Sequence, residues 1–299
     1  MQPDILSPST ISRFTQWWPA RLIIYLGGLM LVVLLTKVLT SPLVPAAPSP
    51  MHDPLATARN ILQAVAMIAV YALLVRRMEH RNANEIAHRN AAPSLLSGVL
   101  IGAGLIGLVF IILSGLGVAR FHAGTGLKGL TVAVLMPAVV GILEELVFRV
   151  ILFRILEHIG GTLAAVVVSA GLFGLAHAAN PGATPLAITF LTVELGVFLA
   201  LVYTMTQSLW MVAGVHMSWN FMQGFVFGSD VSGLQPSSGI MRTSLDGPDW
   251  LTGGAFGLEG SIVTLGVSLV GILIVVSLIV RQKRWQPRKF ELRARSAAH

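Results

Sequence analysis

Two adjacent glutamates and an arginine interrupt an otherwise apolar stretch, GILEELVFRVILFRILEHIG, at residues 141–160. A charged side chain at the centre of a membrane helix costs roughly 2.5–3.5 kcal/mol on insertion scales. Because each helical residue turns by about 100°, Glu145 and Arg149 share one face, whereas Glu144 points about 100° away from Glu145. The spacing therefore predicts an internal Glu145–Arg149 ion pair and leaves Glu144 without a partner in its own helix.

This geometry predicts different roles for the two glutamates. A carboxylate that no neighbouring cation holds is free to accept a proton, so Glu144 is the candidate general base. Glu145 and Arg149 would then support the site from behind. In the alternative interpretation, all three side chains only hold neighbouring helices together, although charges inside a membrane are usually functional.

Two further motifs place histidines in apolar segments. In FGLAH, Phe173 and His177 lie one helical turn apart, and in HMSWN, His216 and Asn220 share one helix face. Histidine can serve as base, ligand or oxyanion donor, whereas an asparagine amide is a good oxyanion donor and a poor transition-metal ligand. For either motif alone, hydrogen bonding between helices is the competing interpretation.

Taken together, these groups are the ones needed to add water to an amide carbonyl. Glu144 would deprotonate the water while His177 helps to hold it. His216 and Asn220 would stabilise the oxyanion. The sequence thus predicts a hydrolytic site made of catalytic Glu144, His177, His216 and Asn220, supported by Glu145, Arg149 and Phe173.

Glu194 is a fourth intramembrane candidate, in the apolar segment TFLTVELGVFLALVY. It has no cation near it in sequence, so we expect it to be protonated or to cap a polar network rather than to act in catalysis.

The elements that carry these residues follow from composition. The chain has 299 residues, of which 55% are hydrophobic and only 11% charged, and its mean hydropathy is +0.78. Soluble domains carry about 25% charged residues, so we predict an all-α, polytopic transmembrane helix bundle. The chain lacks cysteine, which excludes disulfides and thiolate metal sites. We predict about eight spans, at residues 22–40, 58–75, 95–116, 129–157, 162–179, 186–205, 209–228 and 261–280.

Charge placement predicts the topology. The net charge of +7 lies mainly between or beyond the spans, where it meets anionic lipid, so we expect the bilayer rather than nucleic acid as partner. The basic segments 76–89 and 281–295 should be cytoplasmic, with both termini inside, and loops 41–57 and 229–260 external. We divide the chain into an N-terminal tail with three spans (1–128), a four-helix protease core (129–228) and a final part with external loop, last span and basic tail (229–299).

The ordered motifs EExxxR, FxxxH and HxxxN, each within a hydrophobic span, resemble the CAAX prenyl protease and bacteriocin-processing (CPBP or ABI) family of intramembrane endopeptidases. The resemblance covers roughly residues 130–225. It implies peptide-bond hydrolysis in or at the edge of the membrane, with Glu144 as the water-activating base and His177, His216 and Asn220 essential or supporting. It also implies a membrane-embedded or lipidated substrate, such as a prenylated CAAX protein or a bacteriocin leader. The architecture is typical of the bacterial inner membrane.

Zinc is the one cofactor that the sequence leaves open. Glu144, His177 and His216 could form a two-histidine, one-carboxylate zinc site. No HExxH occurs, and Glu145 is committed to Arg149, so a metal-bound Glu144 would leave the site without a base. We therefore favour a metal-free mechanism.

Two rival functions use the same residues. Intramembrane Glu, His and Arg also build proton relays, which would make the chain a proton-coupled transporter; such proteins usually show internal repeats, and none is visible here. A non-catalytic scaffold or immunity protein would bind a membrane partner through the same polar pocket. The span boundaries place His177 near the external end of span five and Glu144 in the inner half of span four. A contact between these two side chains is therefore the sharpest structural test.

Overall fold

The computed structural model describes residues 17–42, 54–236 and 239–287, and most of them lie in long apolar helices. The predicted cytoplasmic termini, most of the predicted external loop 41–57 and the end of the basic tail fall outside the described residues. Among the described residues, six helices are long and apolar enough to cross a membrane. The chain is an integral membrane protein, and the predicted all-α transmembrane bundle is confirmed. In chain order the first elements are α1 (Trp18–Thr40), α2 (Pro54–Leu74), α3 (Ala91–Gly115), β1 (Ala119–Ala123), α4 (Leu130–Glu145) and α5 (Arg154–Ala176).

The second half of the chain continues with shorter elements. A pair of strands, β1 and β2, forms an antiparallel ribbon in which Phe121 lies opposite Thr243. We call the end of the bundle that carries this ribbon the sheet end, and the opposite end the far end. The remaining elements are α6 (Pro185–Leu191), α7 (Phe198–Thr206), α8 (Leu209–Phe221), β2 (Met241–Leu245), α9 (Asp249–Thr252) and α10 (Ile262–Arg281).

Predicted spans four and five run together as one helical stretch, Leu130–Ala176, which breaks at Gly161. The backbone of Gly161 has φ 77° and ψ 175°, a conformation that only glycine adopts readily. The groups exposed by the break are satisfied nearby. Thr162 donates its N–H to the Gln286 carbonyl at 3.0 Å and its hydroxyl to Glu157 at 2.7 Å. Both the N–H and the hydroxyl of Thr162, the first residue after the break, are thus hydrogen-bonded.

Three π-helical turns interrupt the helices of the predicted core, at Leu146–Phe153, Thr192–Val197 and Met222–Val226. They join α4 to α5, join α6 to α7, and extend α8. A π turn shifts the i→i−4 ladder by one residue and can leave carbonyl oxygens available to side chains, and such turns are frequent at functional sites.

Helices α3 and α8 pack with their backbones in direct contact. A Cβ atom added to Gly98 would lie 2.2 Å from the Met211 carbonyl oxygen, and one added to Gly102 would lie 2.3 Å from the Val215 carbonyl oxygen. Small residues spaced one turn apart allow this close approach in membranes, where packing replaces the hydrophobic effect as the driving force. Helix α8 is therefore held from outside the predicted core.

A polar network closes the far end of the bundle. Arg154, the first residue of α5, donates from both terminal nitrogens to Glu79 at 2.7 Å, and Tyr25 donates to the same carboxylate at 2.6 Å. Arg81 joins Glu79 to Glu85. The network ties α1 and the end of α2 to the start of α5, and so fixes the far-end side of the segment that carries Arg149.

Candidate active site

The two glutamates are the last residues of α4, and Arg149 lies in the π turn that follows. The predicted ion pair is present: Arg149 Nη1 donates to Glu145 Oε1 at 3.0 Å, and both side chains are fully buried. A buried pair of this kind is stable only if its remaining donors and acceptors also find partners.

Arg149 finds two further partners on the neighbouring π turn, whereas its Nε and Glu145 Oε2 have none among the described residues. Its Nη2 donates to the carbonyl oxygens of Leu195 and Gly196 at 3.0 and 3.1 Å. The guanidinium also lies 4.4 Å from the centre of the Phe173 ring, within cation–π distance. One arginine therefore fixes three segments of the bundle relative to one another.

Glu145 also orients the histidine of α8. The Nδ1–H of His216 donates to Glu145 Oε1 at 2.9 Å, and the imidazole is buried. The carboxylate thus accepts from Arg149 and from His216 at once. Because this bond occupies Nδ1, the Nε2 atom of His216 is the nitrogen that remains for chemistry.

His177 is oriented by its own helix. It caps the end of α5, and its Nδ1–H donates to the Phe173 carbonyl at 2.9 Å. The Phe173 ring packs 4.8 Å from the His177 ring and 5.9 Å from the His216 ring, between the two imidazoles and Arg149. Phe173 therefore sets the apolar wall behind both histidines, and His177 also presents Nε2 outward.

The span boundaries placed Glu144 and His177 at different depths in the membrane. In the structure the second half of α5 is too short to produce that difference. From the break at Gly161 to Ala176 the helix rises only about 22 Å at 1.5 Å per residue, which is shorter than a hydrocarbon core of about 30 Å. His177 consequently ends inside the bundle rather than at its surface, while the first turns of α4 extend beyond it toward the sheet end. The two side chains therefore reach the same level.

Both histidines lie close to the Glu144 carboxylate. Its Oε2 lies 3.9 Å from His177 Nε2 and 4.0 Å from His216 Nε2. That oxygen is buried and has no hydrogen-bond partner among the described residues, although 29% of the side chain is accessible. Separations near 4 Å between polar atoms are those that one bridging water spans. The structure thus brings both histidines to a separation from Glu144 that one water can bridge.

Asn220 stands one turn beyond His216 on α8, toward the sheet end. It lines an apolar cavity of about 280 Å³ together with Val140, which precedes Glu144 by one turn. Among the described residues, no hydrogen bond joins Asn220 to Glu144, His177 or His216, and Asn220 lies on the wall of the neighbouring cavity. The cavity gives the site an apolar approach.

Comparison with protein families gives a match over residues 126–222 to the type II CAAX prenyl endopeptidases, Rce1-like. We refer to residues 126–222, over which this similarity extends, as the Rce1-like domain. The resemblance to the CAAX prenyl protease family is thereby confirmed, and the match includes all seven predicted site residues. Comparison with curated proteins and with solved structures gives no significant match.

The arrangement in the Rce1-like domain does not fit a zinc ion. Tetrahedral zinc with bonds of 2.0–2.1 Å holds its ligand atoms about 3.3 Å apart, whereas the Nε2–Oε2 separations are 3.9 and 4.0 Å. Within the described parts of the chain, no group of three or more His, Asp or Glu side chains is disposed to bind a metal.

Several contacts of the site have no sequence signal. The acceptors of Arg149 are backbone carbonyls, and backbone carbonyls leave no residue pattern. Gln223, in the π turn after α8, donates to Glu259 at 2.7 Å and to the Asp230 carbonyl at 2.6 Å. This link ties the end of α8 to the segment before α10, which lies outside the matched domain. The one sequence signal for this link is that Gln223 is an isolated polar residue in an apolar segment.

Proposed function

We propose that this chain is an intramembrane endopeptidase that hydrolyses a peptide bond of a membrane-associated substrate with a glutamate-activated water. One observation carries the proposal: the partnerless Oε2 of Glu144 faces the Nε2 atoms of two histidines whose Nδ1 atoms are already bound. The match of residues 126–222 to an endopeptidase family supports the same reaction class.

The attacking water is held by Glu144 and His177. One water hydrogen is donated to Glu144 Oε2 and the other to His177 Nε2, which is an acceptor because Nδ1 carries the proton. As the water oxygen forms its bond to the carbonyl carbon, Glu144 takes up the proton. Glu144 then delivers that proton to the leaving amine when the carbon–nitrogen bond breaks.

His216 and Asn220 serve the oxygen of the same carbonyl. As an imidazolium, His216 donates from Nδ1 to Glu145 and retains an Nε2–H for the developing oxyanion. The Asn220 amide supplies a second donor from the next turn of α8. Donors held in place before the reaction stabilise the charge without reorganisation, which is usually the largest contribution to catalysis.

The approach to the site indicates the substrate class. The cavity beside Asn220 is lined almost entirely by apolar groups, from α4, from the end of α8 and from the loop before β2. It suits a hydrophobic side chain or lipid group of a peptide that is embedded in or anchored to the bilayer. We further propose the bacterial inner membrane as location, with both termini in the cytoplasm and the sheet end outside.

Comparison of membrane peptides from cells with the wild-type chain and with Glu144→Ala tests this function and identifies the substrate. The wild type should produce fragments that the variant lacks, while both chains insert at equal levels. An unchanged peptide set with an unchanged cellular phenotype would instead indicate a binding scaffold. An altered proton or solute gradient with unchanged peptides would indicate a transporter.

Asn220→Ala is expected to lower kcat by about 10²–10³-fold, the usual effect of removing one oxyanion donor. Because the lost bond forms in the transition state, KM should change little. Ser218→Ala is the matched control, since its hydroxyl lies on the same helix and, among the described residues, bonds only to the Val215 carbonyl. Equal kinetics for Asn220→Ala and the control would remove Asn220 from the mechanism.

Chelation tests the metal-free form of the mechanism. Cleavage of a reporter by purified protein should persist after prolonged incubation with a strong zinc chelator, because the proposed proton acceptor is Glu144 itself. Loss of activity together with release of one zinc per chain, and its recovery on adding zinc, would replace this mechanism with a zinc-dependent one.

A further inference from the structure

Glu194 is a buried carboxylate that the proposed reaction does not use. It lies in the π turn between α6 and α7 and is fully buried. Neither of its carboxyl oxygens has a hydrogen-bond partner in the part of the chain that the structure describes. A buried carboxylate without partners is costly, so something must satisfy it.

The packing of α10 shows which surface Glu194 faces. A Cβ on Gly260, just before α10, would lie 3.4 Å from the Ala187 side chain, and a Cβ on Gly271 would lie 3.1 Å from the Phe198 ring. Both contacts have the same sequence offset of 73 residues, so the two segments run parallel in constant register. Glu194, one turn before Phe198 and on its face, is therefore level with Val267 and Ser268 of α10.

The facing stripe of α10 is polar at that level. Thr264 and Ser268 lie on the face of Gly271, are fully buried, and have hydroxyls without partners among the described residues. Several helical hydroxyls of the described residues bond to the carbonyl one turn earlier, as Thr192, Thr204 and Thr206 do. Thr264 and Ser268 do not form this bond, so their hydroxyl oxygens are available to a ligand.

No cationic side chain pairs with Glu194 among the described residues. Glu259, at the start of α10, is close enough to act electrostatically on Glu194. Its own oxygens are occupied by Gln223 and Ser232. Arg149, from another helix, donates to the Leu195 and Gly196 carbonyls beside Glu194, but its ion pair is with Glu145. Among the described residues, the space between the π turn and α10 therefore holds carboxylate and hydroxyl oxygens and no positive group.

We propose that Glu194, Thr264 and Ser268 bind a sodium ion between the π turn at Thr192–Val197 and α10. Hard cations prefer carboxylate and hydroxyl oxygens. Because only one carboxylate is free to coordinate, the site suits a monovalent ion better than calcium, which usually recruits several carboxylates and six to eight oxygens. The ion would fix α10 to the turn whose carbonyls anchor Arg149. This inference does not depend on the endopeptidase reaction.

The test is thermal unfolding of the purified full-length protein at pH 8, with sodium chloride replaced by choline chloride at constant ionic strength. Burial raises the pKa of Glu259 to about 6, so that carboxylate is ionised at this pH. Wild-type Tm should rise saturably with sodium, by roughly 3–8 °C, because the ion binds only the folded chain.

Variants separate a bound ion from a simply protonated Glu194. Glu194→Gln should unfold at the same temperature in both salts, and Ser268→Ala or Thr264→Val should require about 10-fold more sodium for half the shift. Glu157→Gln and Ser277→Ala are the matched controls, because these side chains have partners at Thr162 and Ile274, and both should keep the full shift. A wild-type Tm that is equal in sodium and choline overturns the proposal, as does a full sodium shift in Glu194→Gln. If Glu194→Gln does not fold, the two hydroxyl variants decide, and an unaltered sodium response in both rejects the site.

Discussion

Glu144→Gln is expected to lower kcat for reporter cleavage by about 10²–10⁴-fold, the usual contribution of a general base. Glutamine keeps the size of the side chain and can still accept a hydrogen bond, but its amide cannot take a proton from water. Since Glu144 is paired with neither Arg149 nor another cation in its own helix, the substitution should leave folding intact. The measurement is single-turnover cleavage by purified protein, together with its Tm.

Glu157→Gln is the matched control for that experiment. Glu157 is also a mostly buried glutamate of the same helical stretch, but its carboxylate accepts from Thr162 at the far end. It should cleave at the wild-type rate. Activity in Glu144→Gln comparable with this control, at equal Tm, would show that the base is another group.

Arg149→Met should destabilise the fold by about 3–5 kcal/mol, the effect of leaving a buried charge unpaired. Glu145 would lose its arginine, and the Leu195 and Gly196 carbonyls would lose their donor in a place that water does not reach. The predicted readout is a large fall in Tm, with activity lost at the same time because His216 shares the Glu145 carboxylate.

The double variant Glu145→Leu/Arg149→Met separates folding from catalysis. Removing both charges should restore much of the lost stability, since a buried pair replaced by apolar groups is often neutral in free energy. Activity should stay low because His216 no longer has a partner at Nδ1. A double variant with wild-type activity would mean that orientation of His216 by Glu145 is unimportant.

The sequence was informative where side chains act through helical spacing. The i,i+4 order of Glu145 and Arg149 predicted their ion pair, and the angle between neighbouring residues predicted that Glu144 would face elsewhere. It faces His177 and His216, which come from two other helices. Hydropathy likewise predicted a bundle of apolar helices, since backbone groups in lipid must satisfy themselves as helix; against eight predicted spans, six helices among the described residues are long and apolar enough to cross a membrane.

The rest depends on backbone geometry that a residue pattern does not encode. The π turn at Thr192–Val197 places the Leu195 and Gly196 carbonyls opposite Arg149, and no residue type in the sequence predicts this turn. The expected mismatch in depth between Glu144 and His177 came from treating each span as full length. The Gly161 break shortens the second half of α5 and removes that mismatch. Glu145 also binds His216 across 71 positions of sequence, a pairing that no local rule supplies.

The close contact between α3 and α8 means that the matched residues 126–222 depend on a helix outside them. Residues 126–222 can be recognised as a unit, yet the helix that carries both His216 and Asn220 rests its backbone on Gly98 and Gly102, which precede that unit. The matched residues 126–222 are therefore shorter than the part of the chain that positions α8. The positions of His216 and Asn220 are set in part by the lack of side chains at Gly98 and Gly102, on a helix that carries none of the candidate site residues.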